Sequence, residues 1–171
     1  MASGQKLLII VCGLPGTGKS TVAKLLTKYL GAQLLRTDVI RKKIFRRPRY
    51  NATNMNRVYR ELFLQTRKTG RTRNIILDAT FSKNKHRKTA RRIAKLLGCR
   101  FIMIETMCSV AVIHSRLNKR THHSLSDARF PQYLAMRQSF EKISEPHYVI
   151  NTSGGQRVVL KKTAALVRQF I

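Results

Sequence analysis

The sequence predicts an α/β domain: a parallel five-stranded sheet with helices on both faces and a short helical lid. Three observations carry this prediction. Short apolar runs alternate with longer amphipathic segments along all 171 residues, the pattern of strands joined by crossover helices. The first run, 7–12 (LLIIVC), ends in a glycine-rich turn that opens a helix. Carboxylates stand just past the second predicted strand, at Asp38, and at the end of the third, at Asp78, on the sheet edge where ligands of such folds bind.

Each element has its own justification. Residues 7–12 are continuously apolar, as a central parallel strand buried on both faces requires. A helix follows from Lys19 to about Leu30, with Val22, Ala23, Leu25, Leu26 and Tyr29 turned inward and Gly31 closing it. Residues 33–36 form a short strand; Asp38 opens a helix through Ile44, and Pro48 prevents its extension. A longer helix fits Asn54 to Lys68, closed by Gly70, and a third strand fits 74–78. Ser82 caps a helix to Leu97, whose Ala90, Ile93, Ala94 and Leu97 make one apolar stripe. A fourth strand at 100–105, helices near 110–119 and 131–142, a fifth strand at 148–150 and a helix at about 156–170 complete the order. No repeat or linker interrupts it, so residues 1–171 read as one domain, its lid at about 116–130.

Composition narrows the classes of function. A 43% apolar content supplies a full core, and no apolar run is long enough to span a bilayer. The first six residues are too short and polar for a signal peptide, so a cytoplasmic protein without membrane contact is expected. Cys12, Cys99 and Cys108 form no CxxC pair and read as buried thiols rather than a disulfide or zinc framework. Thirty-five Lys plus Arg against seven Asp plus Glu give a net charge of +28. Such a field attracts polyanions, which makes nucleic acid an expected partner, as substrate or as non-specific ligand. A basic surface unrelated to any substrate is the alternative, because the cations occur in nearly every segment rather than in one stripe. Nothing in the sequence specifies an oligomeric state.

The chemistry begins at Gly13-Leu14-Pro15-Gly16-Thr17-Gly18-Lys19-Ser20-Thr21, which fits G-x-x-x-x-G-K-[ST] in the required strand–turn–helix setting. Its glycines let backbone N–H groups surround phosphates, and the helix N-terminus adds positive dipole. Lys19 is placed to reach the β- and γ-phosphates, and the Ser20 hydroxyl to ligate Mg²⁺. Asp78, at the end of an apolar strand, suits the second magnesium-associated carboxylate, with Thr80 on the same loop; a helix cap is its competing role. Asp38 and Arg41 share a face of one helical turn. There a carboxylate can accept the proton of an incoming hydroxyl while the arginine steadies a phosphate, unless Asp38 simply caps its helix. Arg116 and Arg120 lie on one face of a later helix, before the polar run 121–126. On a closing lid they would neutralise charge as a phosphoryl group moves; otherwise they are solvated helix residues. His122 and His123 read as lid surface, and Asp127 as a partner for a lid arginine or a helix cap.

On these residues the chain resembles the small P-loop (AAA_33-type) kinases grouped with the kinase half of phage-type polynucleotide kinases. The resemblance rests on the 13–21 loop, Arg36-Thr37-Asp38-Val39-Ile40-Arg41, Leu77-Asp78-Ala79-Thr80-Phe81 and Arg116-Leu117-Asn118-Lys119-Arg120. It implies a P-loop kinase fold in which Asp38 is the general base, Arg41 holds the acceptor's phosphate and Arg120 clamps the donor phosphates. ATP or another nucleoside triphosphate with Mg²⁺ is the implied cofactor pair. The expected function is ATP-dependent phosphorylation of a hydroxyl, favouring a 5′-hydroxyl of RNA or DNA. A basic cluster at 41–49, ending at Tyr50, would suit a single-stranded end. A sugar, nucleoside or antibiotic kinase is the alternative, and a nucleic-acid-binding ATPase without an acceptor is a rival of another class.

Overall fold

Apolar alternation decides the architecture of the computed structural model, which describes residues 5–45, 52–119 and 128–170. Strand β1 (Leu7–Cys12) is buried along its whole length and pairs with two parallel neighbours, β3 (Ile75–Asp78) and β4 (Arg100–Met107). Its side chains point alternately to opposite faces. Leu8, Ile10 and Cys12 enter one core with Val58, Leu62, Ala90 and Ile93; Leu7, Ile9 and Val11 enter the other with Val22, Leu26, Val159 and Leu166. The first core is covered by α3 (Ala52–Thr69) and α4 (Asn84–Leu96), the second by α1 (Lys19–Leu30) and α7 (Gln156–Val167). Burying each such Leu or Ile contributes about 1.5–3 kcal/mol.

With β2 (Gln33–Arg36) and β5 (Tyr148–Asn151), the described residues form one five-stranded parallel sheet in the order β2-β3-β1-β4-β5. This is the predicted α/β class. Helices α2 (Thr37–Ile44), α5 (Val110–Asn118) and α6 (Phe130–Ser139) sit at or near the C-terminal strand ends, where the predicted site residues gather.

Boundaries differ where a tertiary partner intervenes. Strand β4 runs two residues beyond the expected end because 104–107 pair with β5. Tyr29, expected inside, is 42% exposed: the last turn of α1 overhangs the N-terminal edge of the sheet beside Phe170. Ser82 does not cap α4, which starts at Asn84; the cap comes instead from Glu141, whose carboxylate accepts the Asn84 N–H at 2.6 Å. For the same reason α6 stops at Ser139 rather than 142, since the next residues peel away to dock on α4. Cys12, Cys99 and Cys108 are free thiols, and Cys108 is only partly buried. No helix among the described residues is long and apolar enough to cross a membrane.

Candidate active site

The loop after β1 is wound by glycine and fastened by threonine. Gly13 has φ +134°, and a Cβ there would lie 2.6 Å from the Thr106 carbonyl oxygen. Its N–H donates to the Thr80 carbonyl at 3.2 Å, joining the P-loop to the loop after β3. The Thr17 hydroxyl, buried beneath the turn, donates to the Leu14 carbonyl at 2.7 Å and meets the Thr106 hydroxyl at 2.8 Å. Gly18, at φ 84°, precedes the first residue of α1. Lys19 Nζ donates to the Leu14 carbonyl at 2.9 Å, so the lysine lies along the loop it serves.

Two cavities flank this loop, and Lys19 and Ser20 line both. The larger, of about 470 Å³, is bounded by Gly16, Gly18, Thr21 and Arg116 and by Gly154-Gly155 at the start of α7. Arg116 is fixed there by donating to the Gly16 carbonyl at 3.2 Å, the Thr152 hydroxyl at 3.0 Å and the Thr152 carbonyl at 2.7 Å. The Thr152 hydroxyl in turn donates to the Thr17 carbonyl at 2.7 Å. The smaller cavity, of about 60 Å³, brings Pro15, Asp38, Asp78 and Thr80 together, with Met55 and Met136 among its apolar walls.

Asp38 lies inside the first turn of α2, which begins at Thr37, so it is not the N-cap. Asp78 ends β3 and is followed by the loop leading to α4, six residues before that helix starts. Neither carboxylate fills the helix-capping role that stood as its alternative. Asp38 is 28% exposed, and its Oδ1 lies 3.4 Å from Nη2 of Arg41, which is 1% exposed. Arg41 therefore backs Asp38 from inside the protein and lines neither cavity. Asp78 is 5% exposed. Its Oδ2 accepts from the Ser20 hydroxyl at 2.7 Å and from Arg36 Nε at 2.9 Å.

The Ser20 and Asp78 oxygens would suit a hard divalent cation whose remaining ligands come from phosphate and water. Ser20 and Asp78 present adjacent oxygens, and among the described residues no group of three His, Cys, Asp or Glu could hold a metal unaided. Mg²⁺ is commonly bound in this way, by one or two protein groups, substrate phosphates and water. The Cys12 thiol, by contrast, is unsuited to chemistry: burial pushes it up to about 12.

The loop after β3 is itself held in an unusual shape. Phe81 has φ 49°, outside the normal range for a bulky residue. Its N–H donates to the buried Tyr59 hydroxyl at 2.8 Å and its carbonyl accepts from Arg87 at 2.8 Å. Burial raises the Tyr59 hydroxyl above its usual range, keeping it neutral. Arg36, Thr106, Thr152 and Arg87 are site-supporting residues that sequence reasoning did not single out. The Thr-Ser-Gly-Gly stretch at 152–155, after a strand and before a helix, was the available signal for Thr152. Arg120, His122, His123, Asp127 and the cluster at 46–50 lie outside the described residues, as does most of the proposed lid.

Fold and site together define a P-loop domain with the architecture of small kinases. Residues 8–143 match the AAA_33 family, an AAA domain, and the chain belongs to that family. It is 30% identical over 146 residues to an uncharacterized protein of Mycobacterium tuberculosis H37Rv; the match covers 77% of this chain and 29% of that protein, so the chain spans less than a third of the relative's length. A candidate kinase from Chloroflexus aurantiacus superposes with TM-score 0.76 at 21% identity, covering 98% of this chain and 99% of the other. The Mycobacterium tuberculosis APS kinase CysC, in complex with AMPPNP and APS, gives TM-score 0.70 at 16% identity, over 96% and 99%. These structural likenesses concern the fold.

Proposed function

We propose that this chain transfers the γ-phosphoryl group of ATP, or of another nucleoside triphosphate, to a hydroxyl acceptor. The observation that carries the reading is that Asp38 opens into the same small cavity as Lys19, Ser20 and Asp78. The larger cavity receives the nucleoside, and the glycine loop with Lys19 holds its phosphates. Magnesium, when bound at Ser20 and Asp78, supplies charge neutralisation at the β- and γ-phosphates. Asp38 accepts the proton of the attacking hydroxyl as its oxygen bonds to phosphorus and the bond to the β-phosphate oxygen breaks, releasing ADP. Arg41 orients Asp38, and Thr80 with Met55 and Met136 shapes the acceptor side. Arg116 borders the donor side, and Arg120 belongs to the proposed clamp on the donor phosphates.

The favoured acceptor is a 5′-hydroxyl of RNA or DNA, supported by the +28 charge and by Lys42 and Lys43 immediately after Arg41 on α2. A small-molecule acceptor is the second reading, supported by the cavity of only about 60 Å³ around Asp38. The experiment is transfer of label from γ-labelled ATP with Mg²⁺ to 5′-hydroxyl oligonucleotides and, in parallel, to a panel of small alcohols and sugars. The expected outcome is a labelled oligonucleotide whose labelling falls about 10²–10⁴-fold in Asp38→Asn with nucleotide binding retained. Label on small molecules alone moves the assignment to the second reading. Nucleic-acid-stimulated phosphate release with no labelled acceptor replaces the kinase assignment with an ATPase.

A further inference from the structure

The sheet register sets a positive charge into the metal site. Arg36 and Asp78 are direct partners where β2 lies beside β3, and partners in a parallel ladder project to the same face. Arg36 uses both arms of its fork: Nε donates to Asp78 Oδ2 at 2.9 Å, and Nη2 donates to the Ser20 hydroxyl at 2.7 Å. Ser20 gives its one proton to the same Asp78 oxygen at 2.7 Å. The three side chains form a closed triangle, with Arg36 12% and Asp78 5% exposed. Arg36 thus donates to the serine oxygen and to the carboxylate that a divalent ion would use, and its guanidinium cannot lose its charge.

We propose that Arg36 is a resident cation of the magnesium site, in competition with the divalent ion for Ser20 and Asp78. In the metal-free protein the guanidinium balances the buried Asp78 carboxylate. Loading the site with metal requires the fork to release the Ser20 oxygen, because two cations cannot share that position without strong repulsion. The consequence is a metal site with a raised threshold: an ion lodges there when the phosphate oxygens of a bound nucleotide add their ligands, and weakly without them. The same guanidinium lets the loop accept phosphates before the metal arrives, since it supplies positive charge beside Lys19. This inference rests on Ser20 and Asp78 as the phosphate-side metal pair and is independent of the acceptor's identity.

The test is direct metal binding rather than turnover. Mn²⁺ is titrated into the chain with ADP and followed by electron paramagnetic resonance, and a fluorescent ADP analogue is titrated with EDTA or with Mg²⁺. Arg36→Gln is expected to bind Mn²⁺ about ten- to a hundredfold more tightly, the worth of one charge-assisted hydrogen bond. It is also expected to bind the analogue more weakly in EDTA, so its Mg²⁺ dependence is steeper than the wild type's. Arg36→Lys, which keeps the charge and the fold but has no fork, should fall between the two. Equal or weaker Mn²⁺ binding in both variants, with the analogue still bound by the wild type, overturns the role of Arg36 and leaves the P-loop reading intact. A wild type that binds the analogue in neither condition overturns both.

Discussion

Tyr59 and Phe81 show how residues that line neither cavity beside the glycine loop can shape it. Phe81 holds φ 49°, a conformation that costs about 1–3 kcal/mol in a bulky residue and persists only where neighbours fix it. Its N–H is satisfied by the Tyr59 hydroxyl, and the loop carrying Thr80 is held to the P-loop through Gly13. Tyr59→Phe keeps the ring and its packing but leaves that buried N–H without its acceptor. The expected loss is about 1–3 kcal/mol of stability, measured as a lower denaturant midpoint at unchanged slope. No sequence pattern announces this pair, because the two residues are separated by 22 positions and meet only after α3 has packed on the sheet. The glycine loop was legible for the opposite reason: its chemistry is local, and thirteen to twenty-one is one continuous stretch. Arg36 was visible as a residue yet unreadable as a metal-site cation, since its position beside Asp78 depends on strand order.

At the scale of elements, α3 and α4 meet through a ring stack whose contribution should depend on pH. His86 lies flat on Tyr59, ring centroids 3.8 Å apart and planes within 5°. Burial, reinforced by the charge of Lys85 and opposed by Glu141, lowers the histidine from its usual 6.5 to about 4. Below pH 6.5 the unfolded chain therefore takes up a proton at His86 that the folded chain refuses. Stability should fall as the pH drops from about 6.5 towards 4, then level off for this group. Glu141 acts in the same direction at lower pH. The Asn84 N–H holds its carboxyl below the usual 4.5, so its contribution is present above that value and is lost as the pH falls through the lowered one. Thermal melts of the wild type and of His86→Phe across pH 4–7 check this: the variant's profile should be the flatter. The strands were predictable from their apolar runs, and α1 from the glycine loop that opens it and Gly31 that closes it. The ends of β4, α4 and α6 were not, because each is set by a partner distant in sequence.

The whole molecule carries thirty-five basic against seven acidic side chains. A surface so unbalanced would attract polyanions through counterion release, with an affinity that falls steeply and log-linearly with salt. Binding of a single-stranded oligonucleotide should therefore weaken by about 300-fold or more between 50 and 200 mM salt if six or more phosphates are contacted. Filter binding across that range measures the slope. If nucleic acid is the substrate, KM for the oligonucleotide should follow the same slope; a small acceptor's KM should not. Net charge was readable at once from composition, but its purpose was not, since the cations are spread over nearly every segment and the cluster at 46–50 lies outside the described residues.

One guanidinium has a consequence for how this molecule opens. Arg87 donates to the Phe81 carbonyl at 2.8 Å and to the Lys142 carbonyl at 3.1 Å, while Glu141 bonds Ser82 through its N–H and Asn84 through its carboxylate. The loop after β3, the first turn of α4 and the strand of chain leaving α6 are thus sewn together at a single seam. Their amide hydrogens would trade with solvent deuterium as one unit, because releasing any of the three exposes bonds belonging to the others. Local breathing at the far end of α6 would in this way be denied to the loop that bears Thr80, whose amides should exchange as slowly as those of the sheet beneath it.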